Sequence, residues 1–159
     1  MDMPEDVATV PESAGRSYWV NGNHMTIRFP PAETSAPFSL VDVRARTGPP
    51  MHVHHAETEV FYVLEGRATF VGPDASHTVA PGGVVHVPPG TPHTFRVAGD
   101  TPARWLLVFQ PSGFEAFFAS IGQPASTTDP DEESTPEAVE EMQALAESFD
   151  LEFVDPPTA

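Results

Sequence analysis

Two histidines one residue apart, His52 and His54, precede a carboxylate, Glu59, in the run His52-Val53-His54-His55-Ala56-Glu57-Thr58-Glu59. In an extended strand, side chains at i and i+2 share a face. Both imidazoles can then reach one cation while Val53 turns away. Glu59 opens a second run, Glu59-Val60-Phe61-Tyr62-Val63-Leu64, rich in β-branched and aromatic residues, and Gly66 closes it with a turn. His55 to Thr58 is long enough to reverse the chain between the two runs. Two imidazoles and a carboxylate meeting on one face suit Ni, Fe, Mn, Co, Cu or Zn as a divalent ion. A second stretch, Gly82-Gly83-Val84-Val85-His86-Val87-Pro88-Pro89-Gly90-Thr91-Pro92-His93, completes the site. There a short apolar strand ends in a turn fixed by proline and glycine, which delivers His93.

The other candidates carry blander readings. Glu57 is a rival carboxylate, but Glu59 shares its face with Phe61 and Val63, so Glu57 is expected in the turn, facing water. His55 should point opposite to His54, as a surface residue or a support behind the ligands. The parity of His86 is open, and His24 and His77 sit in ordinary strand contexts. Met51, Phe61, Phe95, Leu107 and Phe109 read as core that also lines a pocket, because the surroundings of a buried metal must otherwise be apolar. Arg44, Arg46, Arg67, Arg96 and Arg104 are read as surface residues rather than anion ligands. The sequence contains no phosphate-cradling glycine loop and no catalytic serine context.

Charge narrows the partners. The 159 residues carry 7 basic side chains, all arginine, against 23 acids, for a formal net charge of −16. The last arginine is Arg104, and twelve acids lie beyond it. Nucleic acid and anionic membrane are therefore not expected partners. The absence of cysteine removes disulfides and thiolate ligands. No run approaches a membrane span, and the acidic start Met1-Asp2-Met3-Pro4-Glu5-Asp6 is unlike a secretion signal, so a cytoplasmic protein is expected.

The elements that must position the ligands are short strands. Residues 1–16 read as a flexible arm. Residues 17–20 and 24–29 flank the turn Asn21-Gly22-Asn23, and 38–46 alternates as a long strand with one wet face. Residues 67–71 are expected to pair with 59–65 as a hairpin. Strands at 76–79, 84–87, 93–97 and 103–109 follow, each bounded by Pro or Gly, a pattern that suggests a sandwich or barrel. Ser112-Gly113-Phe114-Glu115 fits a capping box. Phe114, Phe117, Phe118 and Ile121 then fall on one helix face, able to cover the barrel end and wall a pocket. Residues 122–134 read as a linker. Thr135-Pro136 begins a second helix with Ala138, Met142, Leu145 and Phe149 as its stripe, and 151–154 adds a final edge strand.

Both motif stretches resemble those of the cupin superfamily. The first matches its glycine, HxH, four residues, glutamate, six residues, glycine pattern at His52, His54, Glu59 and Gly66, with Gly48 two positions nearer the histidines than usual. The second matches at Gly82, Pro88, Gly90 and His93, with Val97 where the pattern closes on asparagine. The tail is similar to that of small single-cupin proteins grouped with quercetin 2,3-dioxygenases. The resemblance implies a mainly β fold, the cupin-type double-sheet jelly-roll barrel over 17–111, with C-terminal helices packing on it over 112–159. It implies one metal ion held by His52, His54, Glu59 and His93. It also implies dioxygenation of a flavonol-like, enolic or aromatic small molecule, with Glu59 doubling as the base and carbon monoxide released on ring opening. Phe114, Phe117 and Phe118 join the expected pocket. Small substrate and O₂ are the expected partners, and a homodimer is compatible with this class. A metal-dependent isomerase, cyclase or decarboxylase, or a binding protein without turnover, uses the same ligands.

Overall fold

A computed structural model describes residues 6–31, 36–125 and 136–156. Its strands are β1 (Arg16–Val20), β2 (Asn23–Phe29), β3 (Ser39–Ala45), β4 (His52–His54), β5 (Thr58–Glu65), β6 (Ala68–Val71), β7 (Ser76–Val79), β8 (Val84–Val87), β9 (Thr94–Val97), β10 (Ala103–Gln110), β11 (Gln123–Pro124) and β12 (Leu151–Phe153). Helix α1 spans Glu115–Ile121, and α2 spans Pro136–Ala146, followed by a 3-10 turn at Glu147–Phe149. Among the described residues no helix is long and apolar enough to cross a membrane.

The strands form two layers. One is an antiparallel sheet in the order β11-β1-β2-β3-β10-β5-β8. The other joins β7-β6-β9 to β12-β4 through a bridge between His52 and His93, whose backbones exchange two hydrogen bonds of 3.0 and 2.9 Å. Strict alternation explains the core. In β3 and β10, Val41, Val43, Trp105, Leu107 and Phe109 turn inward, while Asp42 and Arg104 pair on the outer face at 2.7 Å. Phe61, Phe70, Phe95 and Trp105 meet between the layers, with Phe95 edge-on to Trp105 at 4.7 Å between ring centroids. This is the double-sheet jelly-roll barrel that the sequence implies.

Local chemistry accounts for the turns. Asn21 and Gly22 both take positive φ, 50° and 81°, as the two-residue turn between β1 and β2 requires. Asn23 belongs to β2, and its buried side chain clamps the loop leading to β4. Its Oδ1 accepts the N–H groups of Arg46 and Thr47 at 2.8 and 3.2 Å, and its Nδ2 donates to the Thr47 carbonyl at 3.0 Å. Gly48 lies beyond the clamp, where a Cβ would fall 1.7 Å from the Phe95 carbonyl oxygen, so only glycine fits. Within the stretch read as a flexible arm, the Arg28 guanidinium donates to the carbonyls of Pro11, Glu12 and Ala14. Residues 1–5 of that arm lie outside the described residues.

Three expectations need correction. Residues 68–71 do not pair with β5, because β10 and β8 occupy both of its edges, and Gly66 at φ 72° sends the chain to the other layer, between β7 and β9. The capping box is not formed. Helix α1 starts after Phe114, Ser112 Oγ donates to the Ala36 carbonyl, and Glu115 accepts the Gly113 N–H at 2.7 Å. The linker is shorter than expected, since Gln123 and Pro124 pair with β1. The expected final edge strand is present as β12, paired with β4. Residues 126–134 of the linker and the Thr135 cap lie outside the described residues, as does the side chain of Ala138.

The Asn23 clamp carries a prediction. Asn23→Ala leaves two part-buried backbone N–H groups without their acceptor, where a fully buried unsatisfied group costs about 1–3 kcal/mol. Urea denaturation should therefore show a loss of about 1–2 kcal/mol. Stability unchanged within error would mean that the clamp contributes nothing to the loop.

Candidate metal centre

The 3-residue strand β4 supplies two imidazoles from one face, as alternation demands, while Val53 and Met51 point away from the cavity. Glu59 lies at the start of β5, and His93 stands immediately before β9, opposite His52. One donor atom from each of His52, His54, Glu59 and His93 lies within 4.8 Å of the others, and all four residues are buried. The distances tighten on Glu59. Its Oε1 is 3.3 Å from His54 Nε2, and its Oε2 is 2.7 Å from His93 Nε2. Yet neither Glu59 Oε2 nor His93 Nε2 has a hydrogen-bond partner. Donor atoms gathered this closely could hold a metal ion between them, and the donor set fits a divalent transition metal.

The rings are oriented from behind. His52 Nδ1 and His93 Nδ1 each lie 2.9 Å from a backbone carbonyl two residues upstream, Pro50 and Thr91. A carbonyl only accepts, so both Nδ1 atoms carry the proton and both Nε2 lone pairs face the centre. His54 has no such carbonyl. Burial, then the imidazoles of His93 and His52, keep the rings neutral: His52 is driven down to about 3 and His54 to about 2. For His93, burial works the same way, but the Glu59 carboxylate outweighs it and the net shift is upward.

Glu57 is not where the sequence puts it. Instead of facing water it is 7% exposed, with Oε2 3.8 Å from His54 Nδ1. Residues 57, 59 and 61 share one parity, and β5 begins at Thr58, so the inward side of Glu57 continues that of Glu59 and Phe61. Burial, with added repulsion from Glu59, Asp150 and Glu115, pushes its carboxyl up to about 7. His55 is exposed and pairs with Glu152 at 2.7 Å. His86 proves exposed, 2.8 Å from the Thr58 hydroxyl. His24 meets the Trp19 ring edge-on, and His77 is exposed on β7.

The four ligands open onto a cavity of about 550 Å³. Phe61, Phe95, Leu107, Phe109, Phe114, Phe117 and Phe118 line it, as expected from the sequence, whereas Met51 does not. Met51 is buried on the opposite face of the β4 segment, one residue out of step with His52. The sequence reading missed Trp105, Val43, Met25 and Val20 from the barrel, and Val139, Met142, Leu151 and Phe153 from the tail. Alternation with Leu107 and Phe109 was the available signal for Trp105. For the tail residues no local signal exists, because their place depends on β12 pairing with β4. Asn21, Asn23 and Thr47 are the polar lining residues besides the ligands, and none of the seven arginines contributes.

Proton competition at this centre has a definite sign. A proton on His93 must leave before a metal binds, whereas His52 and His54 hold none to displace near neutrality. Metal affinity should therefore rise with pH and level off once the raised His93 value is passed. Between about pH 5 and 6.5, log K for zinc should climb with a slope near one, measured by competition with a chelator. A slope of two would mean that a second proton leaves on binding, from Glu57 or from a charged His52 or His54.

Comparison with known proteins agrees with this geometry. Residues 39–109 match the family described as Cupin domain. Quercetin 2,3-dioxygenase of Bacillus subtilis (strain 168) is 36% identical over 73 residues, 46% of this chain and 21% of that protein. The chain spans about half or less of the length of the curated relatives it matches. Among solved structures, a sugar phosphate isomerase of the cupin superfamily from Silicibacter pomeroyi superposes with a TM-score of 0.51 at 26% identity, over 58% of this chain and 62% of that one. The Streptomyces nucleoside dehydratase Pac13 superposes with a TM-score of 0.57 at 14% identity, over 70% of this chain and 88% of that one, a likeness of fold alone. The four clustered residues fall within the stretch that matches the Cupin domain family, and the two-layer barrel around them is the cupin fold.

Proposed function

We propose that the protein is a metal-dependent dioxygenase of a flat, uncharged enolic or aromatic small molecule of the flavonol type. The observation that carries the reading is the pairing of the His52, His54, Glu59 and His93 cluster with a 550 Å³ cavity walled by aromatic rings and free of arginine. A phosphorylated or carboxylated substrate would find no arginine in the lining, so charge not taken up by the metal would be buried unpaired, at a large desolvation cost. Flat rings instead gain burial against Phe61, Phe95, Phe109 and the α1 phenylalanines. The local similarity to a quercetin dioxygenase supports the same choice.

A transition metal held by the four residues would supply Lewis acidity toward an enolate oxygen and an electron route to O₂. The chain's own part is separate. The apolar walls exclude water from the reacting carbon. Glu59 is the one carboxylate that both belongs to the ligand cluster and lines the cavity. In this reading it takes the hydroxyl proton of a substrate on a carboxylate oxygen.

Protein loaded with Ni, Co, Mn or Fe should bleach the flavonol absorption band in air and leave it unchanged under nitrogen. Glu59→Gln should lower turnover more than flavonol binding while metal is retained. Turnover of an enolic substrate without oxygen uptake would replace this reading with a non-redox cupin, an isomerase, cyclase or decarboxylase. Binding without product would leave a binding protein.

Phe117 tests the cavity wall. It packs against Phe114 and Phe149 and lines the cavity. Phe117→Ala should cost about 3–5 kcal/mol of stability. It should also shift the affinity for three-ring substrates more than for single-ring ones. Equal shifts for both sizes would confine Phe117 to packing.

A further inference from the structure

Of the three imidazoles in the cluster, two are steered by main-chain carbonyls and one is not. His52 and His93 each place Nδ1 2.9 Å from a carbonyl oxygen. His54 Nδ1 is buried and has no hydrogen-bond partner, and the nearby Glu57 Oε2 is buried and equally without one. They are 3.8 Å apart. That gap is too long for a hydrogen bond and too short for a bridging water, which needs about 4.5 Å between the atoms it joins. Glu57 also lies outside the cavity lining, on the far side of the His54 ring from Glu59.

We propose that Glu57 is a positioning residue of the metal centre, accepting the Nδ1–H of His54 and holding its Nε2 toward Glu59. A side-chain shift of about 1 Å closes the contact to hydrogen-bond length. The carboxylate does for His54 what the carbonyls of Pro50 and Thr91 do for the other two rings. It fixes the tautomer that leaves a lone pair on Nε2. As a charged acceptor it also raises the basicity of that nitrogen, which a carbonyl does more weakly. His54 is the ring that needs such an acceptor. Its backbone is committed elsewhere: the His54 carbonyl accepts the Gly90 N–H at 2.9 Å, and β12 pairs along the strand. Glu57 does not touch substrate or the reacting atoms, so the role is positioning and not catalysis.

The inference rests on the cluster binding a metal, but it does not rest on the dioxygenase reading, and its test uses no turnover. Glu57→Gln keeps an acceptor oxygen without the charge, and Glu57→Leu removes the acceptor at similar volume. Zinc affinity is measured by chelator competition, and ring protons by long-range ¹H–¹⁵N correlation on the metal-free and zinc-loaded proteins. Wild type should show a protected His54 Nδ1–H in both forms. Glu57→Leu should lose that protection and bind zinc about 10–100-fold more weakly, with Glu57→Gln between the two. The Nδ1–H signals of His52 and His93 should stay in place in both variants, which reports an intact fold. Zinc binding by Glu57→Leu within about twofold of wild type, against the expected 10–100-fold loss, would overturn the proposal. So would equal losses in Gln and Leu variants, or a His54 Nδ1–H signal that survives in Glu57→Leu. If wild type binds no zinc, the metal reading fails, and the metal-free ring spectrum alone decides whether Glu57 holds His54.

Discussion

Three imidazoles and a carboxylate are buried within 4.8 Å of one another, and the rest of the structure is arranged around that cost. Buried polar groups are stable only when partnered, and charged ones only when paired. Here the partners divide between two sides. Behind the rings, carbonyls take the Nδ1 positions of His52 and His93, and Glu57 stands 3.8 Å from that of His54. In front, the Nε2 atoms and Glu59 face one another without hydrogen-bond geometry, an arrangement that a shared cation satisfies. The desolvation that drives His52 and His54 to low pKa keeps them as neutral ligands across the physiological range. Burial therefore both imposes the cost and prepares the ligands.

That burial depends on a very short strand. At 3 residues, β4 has little cohesion of its own and is held from both flanks. On one side β12 pairs Leu151 with His54 and Phe153 with His52. On the other, the His52–His93 bridge ties it to the strand that brings the third imidazole. The Asn23 clamp and the glycine-only approach of Gly48 to Phe95 set where β4 begins. Ligand geometry is thus inherited from backbone pairing more than from side-chain packing.

Much of this was legible in the sequence, because the barrel obeys local rules. HxH spacing fixes two rings on one face, Pro-Gly turns fix where His93 emerges, and alternation in β3 and β10 names the core. Legibility failed where the outcome depended on which strands meet. Nothing local in Ala68–Val71 says that β5 already has two partners. Glu57 was misplaced because a turn was assumed to extend to Thr58, although parity with Glu59 and Phe61 pointed inward. The tail gave up its helices and its last strand, but not that this strand docks beside the ligands, since that contact joins residues about one hundred positions apart.

The docking of the tail has a chemical consequence. Val139, Met142, Leu151 and Phe153 form part of the cavity wall, and two of these four sit on the strand that braces His52 and His54. Wall and ligand geometry are therefore mechanically joined through one backbone pairing. A substitution that widens the cavity at Phe153 also alters the packing beside His52, whose ring centroid lies 6.4 Å away. Changes confined to α1, such as those at Phe117 and Phe118, reach the cavity without touching that pairing. The barrel can accordingly vary the shape of what it binds through α1 at little risk to the centre, whereas variation through β12 carries the ligands with it.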